Sequence, residues 1–333
     1  MTKKYDYIII GQGITGSALA WKLYYSNKKF LILDSENKNT ASKAALGIYN
    51  PITGRRKALT WNVNELFENL ERFYLNVEKE IGVKILFKKN IYRPINNNKD
   101  FNDWNSRMSN VKFQSIIKEI DEKKVITKKS GYIDVKKYLT HTRKYFKKKE
   151  RYHRYKLDDK DIIIENNEIR LKGFQAKHIV MCIGIDQKKI NLFNKIDINE
   201  VSGNSILAEL NYSIKNIINN KISIVNTSKN IFHIGSSYNN GSDNIGHSKI
   251  LDDAKKIIKK KLIFKKSFFG IRSSSKDRRP IVGKHFQLKN LYIINGLGSK
   301  GISQAPYCSD KLFNYIERNK QIDKEININR FKT

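Results

Sequence analysis

The first apolar block of the chain, Tyr7-Ile8-Ile9-Ile10, has no polar position, which is the pattern of a strand covered on both faces. Gly11, Gly13 and Gly16 follow, and then Ala18, Leu19, Ala20, Leu23 and Tyr24 fall on one face of a helix. A second unbroken block, Phe30-Leu31-Ile32-Leu33, ends in Asp34. The predicted order is strand, glycine turn, helix, strand, acid. Later blocks predict a strand within Lys177–Ile185, with Gly184 near its end, and another within Asn290–Pro306, running through glycines into a helix. Shorter β runs lie at Val83–Phe87, Ile162–Ile164, Ile169–Leu171, Ile222–Val225 and Ile231–Ile234. Helical periodicity marks Asn64–Ile81, Val135–Lys147, Asp252–Lys261 and Tyr307–Arg318. Polar Asn96–Ser106 reads as a looped insertion, and Tyr238–Ser248 as turn-rich.

The opening order carries chemistry. A helix N-terminus presents unpaired N–H groups and a partial positive charge, so it attracts anions. Glycine permits the sharp turn, the close approach of a pyrophosphate and the packing of helix on strand. Asp34 stands where a ribose hydroxyl is held in such units, with a solvated strand end as the alternative. A βαβ unit of this kind holds the ADP half of either NAD or FAD. Strand–glycine material at the start, middle and end predicts an α/β fold built from separated segments. We assign residues 1–75, 130–188 and 268–333 to the dinucleotide domain, and residues 76–129 and 189–267 to an inserted substrate domain.

Composition narrows this picture. The chain has 333 residues, 39% of them hydrophobic and 29% charged, enough for a large core and two domains. No apolar stretch reaches membrane-spanning length, and the N-terminus lacks a signal-peptide pattern. Cys182 and Cys308 are too few for a disulfide framework, and the six histidines lack metal-ligand spacing, so a cytoplasmic protein without a metal site is expected. The formal charge is +33, and the excess is nearly all lysine. It is open to two readings: a polyanionic partner such as RNA, or an AT-rich coding bias that also enriches asparagine and isoleucine. The densest basic run, Arg143–Lys156, reads as an amphipathic helix with a solvated face, with RNA contact as the alternative.

Several segments, collinear from end to end, resemble the D-amino-acid oxidase and glycine oxidase family of FAD-dependent oxidoreductases. They are similar as well to the FAD oxidase half of the bifunctional bacterial enzyme that makes 5-methylaminomethyl-2-thiouridine in tRNA. TASKAALGIYNP (Thr40–Pro51) is similar to the small-residue loop after the second strand, and HIVMCIGI (His178–Ile185) to the strand that closes the cofactor site. FGIRSSSKDRRPIVG (Phe269–Gly283) resembles the arginine-bearing strand, and GLGSKGISQAP (Gly296–Pro306) the terminal flavin motif. SGYIDVKKYL (Ser130–Leu139) and HIGSSY (His233–Tyr238) match less closely.

The resemblance implies a glutathione-reductase-type FAD-binding domain and an inserted α+β substrate domain with a mainly antiparallel sheet. It implies FAD contacts from Gly11, Gly13, Ile14, Thr15, Gly16 and Asp34, and from Ser42, Lys43, Ala44, Ala45 and Gly47. Gly184, Gly298, Ser299, Lys300, Gly301 and Ile302 complete that set, with Lys300 opposing the negative charge that reduction builds on the flavin. Arg272 is implied as the grip on a substrate carboxylate, which suits a guanidinium on an apolar strand. Tyr238 is the candidate for a pocket hydroxyl. The implied reaction oxidises a C–N bond of an amino acid or secondary amine carrying a carboxylate, by hydride transfer to flavin N5. Two alternatives stay open: a FAD oxidase acting on a tRNA wobble uridine, and a non-catalytic flavin- or RNA-binding protein. The sequence departs from the family at Leu46, at Ser273–Ser275, and at the basic residues Arg55, Arg56 and Lys57, which face either an anionic substrate or solvent.

Overall fold

The computed structural model describes residues 3–332, except 38, 55, 167, 236, 237 and 241–246. Its α-helices are α1 (Ile14–Tyr25), α2 (Ala41–Ala44), α3 (Val63–Ile81), α4 (Asn98–Met108), α5 (Val111–Gln114), α6 (Val135–Lys148), α7 (Ser248–Ile258) and α8 (Gly301–Arg318). Among the described residues a six-stranded sheet contains β1 (Lys4–Ile10), β2 (Phe30–Asp34), β11 (Tyr152–Arg154), β14 (Gln175–Met181), β21 (Ile281–Lys284) and β22 (Leu291–Asn295). A larger sheet contains β7 (Ile91–Pro94), β8 (Ile117–Ile120), β9 (Lys124–Thr127), β15 (Ile198–Glu209), β16 (Ile217–Asn219), β17 (Ser223–Ser228), β18 (Ile231–Gly235), β19 (Asn239–Asn240) and β20 (Ile263–Ser275). A small sheet joins β3 (Ile48–Tyr49), β6 (Leu86–Lys88) and β10 (Gly131–Ile133). Two ribbons complete the chain: β4 (Ile52–Thr53) with β5 (Ala58–Leu59), and β12 (Ile162–Glu165) with β13 (Glu168–Leu171).

The six-stranded sheet runs β11-β2-β1-β14-β22-β21, parallel except at the final β22/β21 pair. Its central strands β1 and β14 end in apolar runs, Tyr7–Ile10 and Ile179–Met181, because both faces are covered there. Tyr7 and Ile9 pack into one core with α1, α3, α6 and α8, while Ile8 and Ile10 pack into another with Ile179, Met181 and Ile293. The large sheet is antiparallel except for β7 beside β16. One of its faces carries Ile206, Ala208, Ile224, Phe232 and Ile234 against Ile250 and Ala254 of α7. The other face carries Ile91, Ile217 and Val225 against Tyr132, Leu46, Ile48 and Phe87. This is the α/β architecture expected, with a parallel nucleotide-type sheet beside a mainly antiparallel one.

Three local expectations are corrected. Polar Asn96–Ser106 is not a loop but most of α4, capped by Asn97, whose side chain accepts from the Asp100 N–H. Trp104 alone of that helix is fully buried, and burying one such side chain is worth about 2–3 kcal/mol, enough to seat an otherwise polar helix. The basic run Arg143–Lys156 is not one helix. Helix α6 ends at Lys148, Glu150 takes a left-handed φ of 52°, and β11 then adds to the edge of the parallel sheet beside β2. The terminal helix begins at Gly301 rather than near Tyr307, with Pro306 inside it. Proline lacks the N–H that would bond the carbonyl of Ile302, and the Tyr74 hydroxyl donates to that carbonyl instead, at 3.1 Å.

Candidate functional site

The glycine turn sits between β1 and α1, where the end of β14 passes beneath it. Gly11 has φ +96°, and a Cβ there would lie 2.7 Å from the Cys182 carbonyl oxygen. A Cβ on Gly16 would lie 1.8 Å from the Gly11 carbonyl oxygen, so this glycine lets the helix rest on the turn. Gly13 has the other role. It is the N-cap of α1 and brings no capping side chain, and a Cβ there would meet the Ser42 side chain, with Oγ at 3.0 Å. The N–H of Ile14 donates to that Ser42 oxygen at 3.1 Å, so the hydroxyl stands over the helix end. Ile14 is buried, and Thr15 beside it is half-buried.

Asp34 closes one side of the turn. Its Oδ1 accepts from the N–H of Gln12 at 2.7 Å, and its Oδ2 accepts from the N–H of Glu36 at 3.0 Å. Sequence reasoning did not find Gln12. Its buried amide donates to Ser17 Oγ and to the Leu139 carbonyl, and accepts from Arg143 Nε at 2.9 Å. Arg143 also places Nη2 3.7 Å from Asp34 Oδ2. Burial raises the Glu36 carboxyl, but hydrogen bonds from Lys147 and Tyr152 outweigh it and hold its pKa below the ordinary range. Two carboxylates at the end of β2, steadied by α6 and β11, form a polar rim beside the turn.

The small-residue loop lies against the large sheet, and the register shows how. Gly203 pairs with Gly270, Ser205 pairs with both Gly235 and Phe268, Val201 pairs with Arg272, and Leu207 pairs with His233. Residues directly opposite each other point to the same face, so glycines, Ser205, His233, Phe268 and Arg272 share one face. The loop occupies that face. A Cβ on Gly270 would lie 2.8 Å from Ala41 Cα, and one on Gly235 would lie 3.1 Å from Leu46 Cδ1. Ser205 Oγ donates to the Ala44 carbonyl at 2.8 Å. Its single proton is then used, so His233 Nε2, 2.9 Å away, is the donor to Ser205. Burial lowers the His233 pKa to about 4, which keeps the ring neutral. Within the loop, Lys43 Nζ contacts the Asn37 carbonyl and Ala45 is half-buried. Gly47, at φ +75°, has no room for a Cβ beside the Ile133 carbonyl.

Arg272 projects from the same face two residues beyond Gly270. Its Nη1 donates to the Ser202 carbonyl at 3.2 Å, and its guanidinium lies 4.6 Å from the centre of the Tyr238 ring. Burial lowers its pKa, and Tyr238 opposes that effect. The structure thus brings Arg272 and Tyr238 together. Tyr238 is 63% exposed, so it covers the guanidinium from the solvent side. Ser236, Ser237 and residues 241–246 of the motif and turn around it lie outside the described residues.

The end of strand β20 lies against the terminal glycine loop that follows β22. Gly298 donates its N–H to the Ser273 carbonyl at 2.9 Å, and Ser273 Oγ donates to Asn295 Oδ1 at 2.7 Å. Asn295 Nδ2 donates to the Gly184 carbonyl at 2.9 Å. One hydroxyl and one amide therefore tie together three segments far apart in sequence. A Cβ on Gly301, the first residue of α8, would lie 3.7 Å from Ile14 Cγ2, so the N-termini of α1 and α8 stand side by side. Ser299 is exposed, Ile302 is buried, and Lys300 is the N-cap residue of α8. Burial, then Arg279 and Arg278, lower the Lys300 pKa. Among the described residues no acid pairs with this half-buried ammonium. The extra basic residues behave differently: Lys57 pairs with Asp100 of α4, Arg56 is exposed, and Arg55 lies outside the described residues.

The family model described as FAD dependent oxidoreductase (DAO) matches residues 6–313. The chain shares its fold with glycine oxidase from Bacillus cereus, at TM-score 0.80 and 20% identity, over 95% of this chain and 96% of that one. Iminodiacetate oxidase from Chelativorans sp. aligns at TM-score 0.80 and 15% identity, over 96% and 98%. L-Proline dehydrogenase from P. horikoshii aligns at TM-score 0.77 and 15% identity, over 99% and 97%.

Proposed function

This chain belongs to the DAO family of FAD-dependent oxidoreductases, and from that footing we propose that it oxidises a C–N bond in an amino acid or secondary amine that carries a carboxylate. The residues present fit FAD. Gly13 leaves the α1 N-terminus open where a Cβ would crowd Ser42, and the ends of α1 and α8 converge with the cation of Lys300. In this reading the turn at Gly11–Gly16 and the Ser42 hydroxyl hold the diphosphate, Asp34 holds a ribose hydroxyl, and the Gly298–Ile302 segment with Lys300 holds the pyrimidine end. Bound FAD supplies the two-electron acceptor for the hydride on the carbon next to nitrogen.

The protein's part is to place that carbon. Arg272 offers a planar, doubly donating group to a carboxylate, and its burial strengthens the pairing. The observation that carries the reading is its position: it stands on the face of the large sheet that meets the small-residue loop, two residues along β20 from the Gly270–Ala41 contact. Tyr238 shields the ion pair from water. The amine must be neutral to react, and solvent takes its proton, so no protein base is required.

Anaerobic bleaching of the flavin absorbance tests the reading, with a panel of amino acids, N-methyl amino acids and tRNA from modification-deficient cells. Bleaching by carboxylate amines, with Arg272→Ala raising KM about 100-fold or more, is expected. Full turnover by Arg272→Ala removes the clamp. Bleaching by tRNA alone selects the second substrate, a wobble uridine whose side chain carries the same amine and carboxylate.

A further inference from the structure

The large sheet ends, at β7, β9 and β16, in a cleft of about 400 Å³ lined by Lys88, Lys89, Lys129 and Lys215 with Glu71. None of the residues assigned above lines it. Lys88 ends β6 and Lys89 lies between β6 and β7, with Lys129 in the turn after β9 at φ 56° and Lys215 just before β16. Backbone bonds fix these ends together. Lys89 donates to the Ser130 carbonyl at 3.1 Å, Ser130 Oγ donates back to the Lys89 carbonyl at 2.9 Å, and Ile217 donates to the Asn90 carbonyl at 2.9 Å. Among the described residues Glu71 is the one acid lining this cleft with the four lysines, and it is used by Lys88 at 2.5 Å. Lys89 Nζ donates to the Asn226 carbonyl at a long 3.5 Å. Among the described residues neither Lys129 nor Lys215 has an acid partner.

A second cleft of about 580 Å³ shares Lys88 and continues along α3 over Leu75, Val83 and Leu86, with Lys84 beside it and with Glu78, whose Oε1 accepts from the Ile85 and Leu86 N–H groups. Together they make an open groove with several cationic points rather than a closed pocket for one ion. The cations here are lysines, point charges suited to single phosphate oxygens rather than to forked recognition of a base. A net charge of +33 draws a polyanion to the surface, and the groove gives it a place to lie.

We propose that the Lys88–Lys89–Lys129–Lys215 groove binds the phosphate backbone of RNA without reading its bases. Nothing in this proposal depends on Arg272 or on the carboxylate substrate. The test measures anisotropy of a short fluorescein-labelled RNA hairpin with the FAD-loaded protein, between about 50 and 200 mM salt. Two triple variants are compared: Lys89→Gln/Lys129→Gln/Lys215→Gln, and Lys249→Gln/Lys256→Gln/Lys261→Gln, three exposed lysines on or after α7. The groove variant is expected to bind about tenfold more weakly and to lose about 2 from the salt slope, while the α7 variant keeps both within about twofold. Equal weakening of both variants means diffuse charge and overturns the proposal, as does absence of RNA binding. Displacement of the hairpin by millimolar pyrophosphate overturns it in favour of a small phosphate ligand. Should the groove variant lose its flavin or its thermal stability, the exposed single variant Lys215→Gln carries the same comparison, with a change near one in slope expected and no change overturning it.

Discussion

Two glycines of one turn are expected to fail in different ways when each becomes alanine. At Gly16 the new methyl carbon would sit 1.8 Å from the Gly11 carbonyl oxygen, which belongs to the backbone and cannot rotate away. Helix α1 would have to lift by roughly 1.5 Å to restore an ordinary contact, pulling Ile14, Ala18, Leu19 and Trp21 from a close-packed core. Overpacking costs about 1–3 kcal/mol where side chains can adjust, and this site lies at or beyond the upper end. Alanine recovers at most about 1 kcal/mol through helix propensity, so a net loss of about 2 kcal/mol or more is expected. At Gly13 the backbone, φ −78°, accepts alanine, and the methyl meets a serine hydroxyl at 3.0 Å. Displacing that hydroxyl loses the Ile14–Ser42 hydrogen bond, worth about 1 kcal/mol. The methyl also occupies the approach to the helix end, so the dissociation constant for FAD should rise about tenfold or more, equivalent to about 1.4 kcal/mol. Urea denaturation of the apoprotein and titration of flavin fluorescence separate the effects. Wild-type stability in Gly16→Ala, or wild-type FAD affinity in Gly13→Ala, refutes this division of roles.

Three further outcomes are expected. Lys300→Met lowers the midpoint potential of the bound flavin, on the order of 30 mV for a loss of about 1.4 kcal/mol, and an unchanged potential in spectroelectrochemistry places the ammonium elsewhere. His233 has a pKa near 4 in the fold against an ordinary 6.5. The unfolded chain therefore takes up the proton first, and stability falls as pH drops from about 6.5 towards 4, by up to about 1.4 kcal/mol per unit. In His233→Gln this dependence is shallower by one proton, and a parallel pair of urea-against-pH curves would show the imidazole to be accessible to protons in the fold. Asp34→Ala removes the acceptor of the Gln12 N–H and weakens FAD binding about tenfold or more by fluorescence titration, with unaltered affinity excluding Asp34 from the ribose side.

The first βαβ unit was legible because its signals are local: two unbroken apolar strands, three glycines and an acid within 34 residues. Other parts depended on what meets across the fold. Helix α4 was hidden because eleven mostly polar residues are anchored by Trp104, too sparse a pattern to show a period. Strand β11 was hidden by charge, since His153 and Arg154 are exposed at the sheet edge and only Tyr152 is buried. Gln12 occupies an unconstrained position between two motif glycines, and its partner Arg143 lies 131 residues away, so no spacing pointed to either. The same holds for Ser273 and Asn295. The serine was visible only as a departure from the family pattern, yet it joins β20 to the loop before α8. The helix predicted from Tyr307 starts six residues earlier, with Pro306 inside it, and Tyr74, a residue on α3, supplies the donor that the proline lacks.

The glycine face of the large sheet has a wider consequence. Where main chain touches main chain, neither surface has a side chain to exchange, and mutation has little with which to loosen the joint. The alignment between the arginine strand and the nucleotide half is in this way insulated from drift, while the walls on either side remain free to change. A scaffold so joined can diverge to one identical residue in five and still superimpose on a glycine oxidase from end to end, so new substrates can be explored by altering the lining while the seam stays fixed.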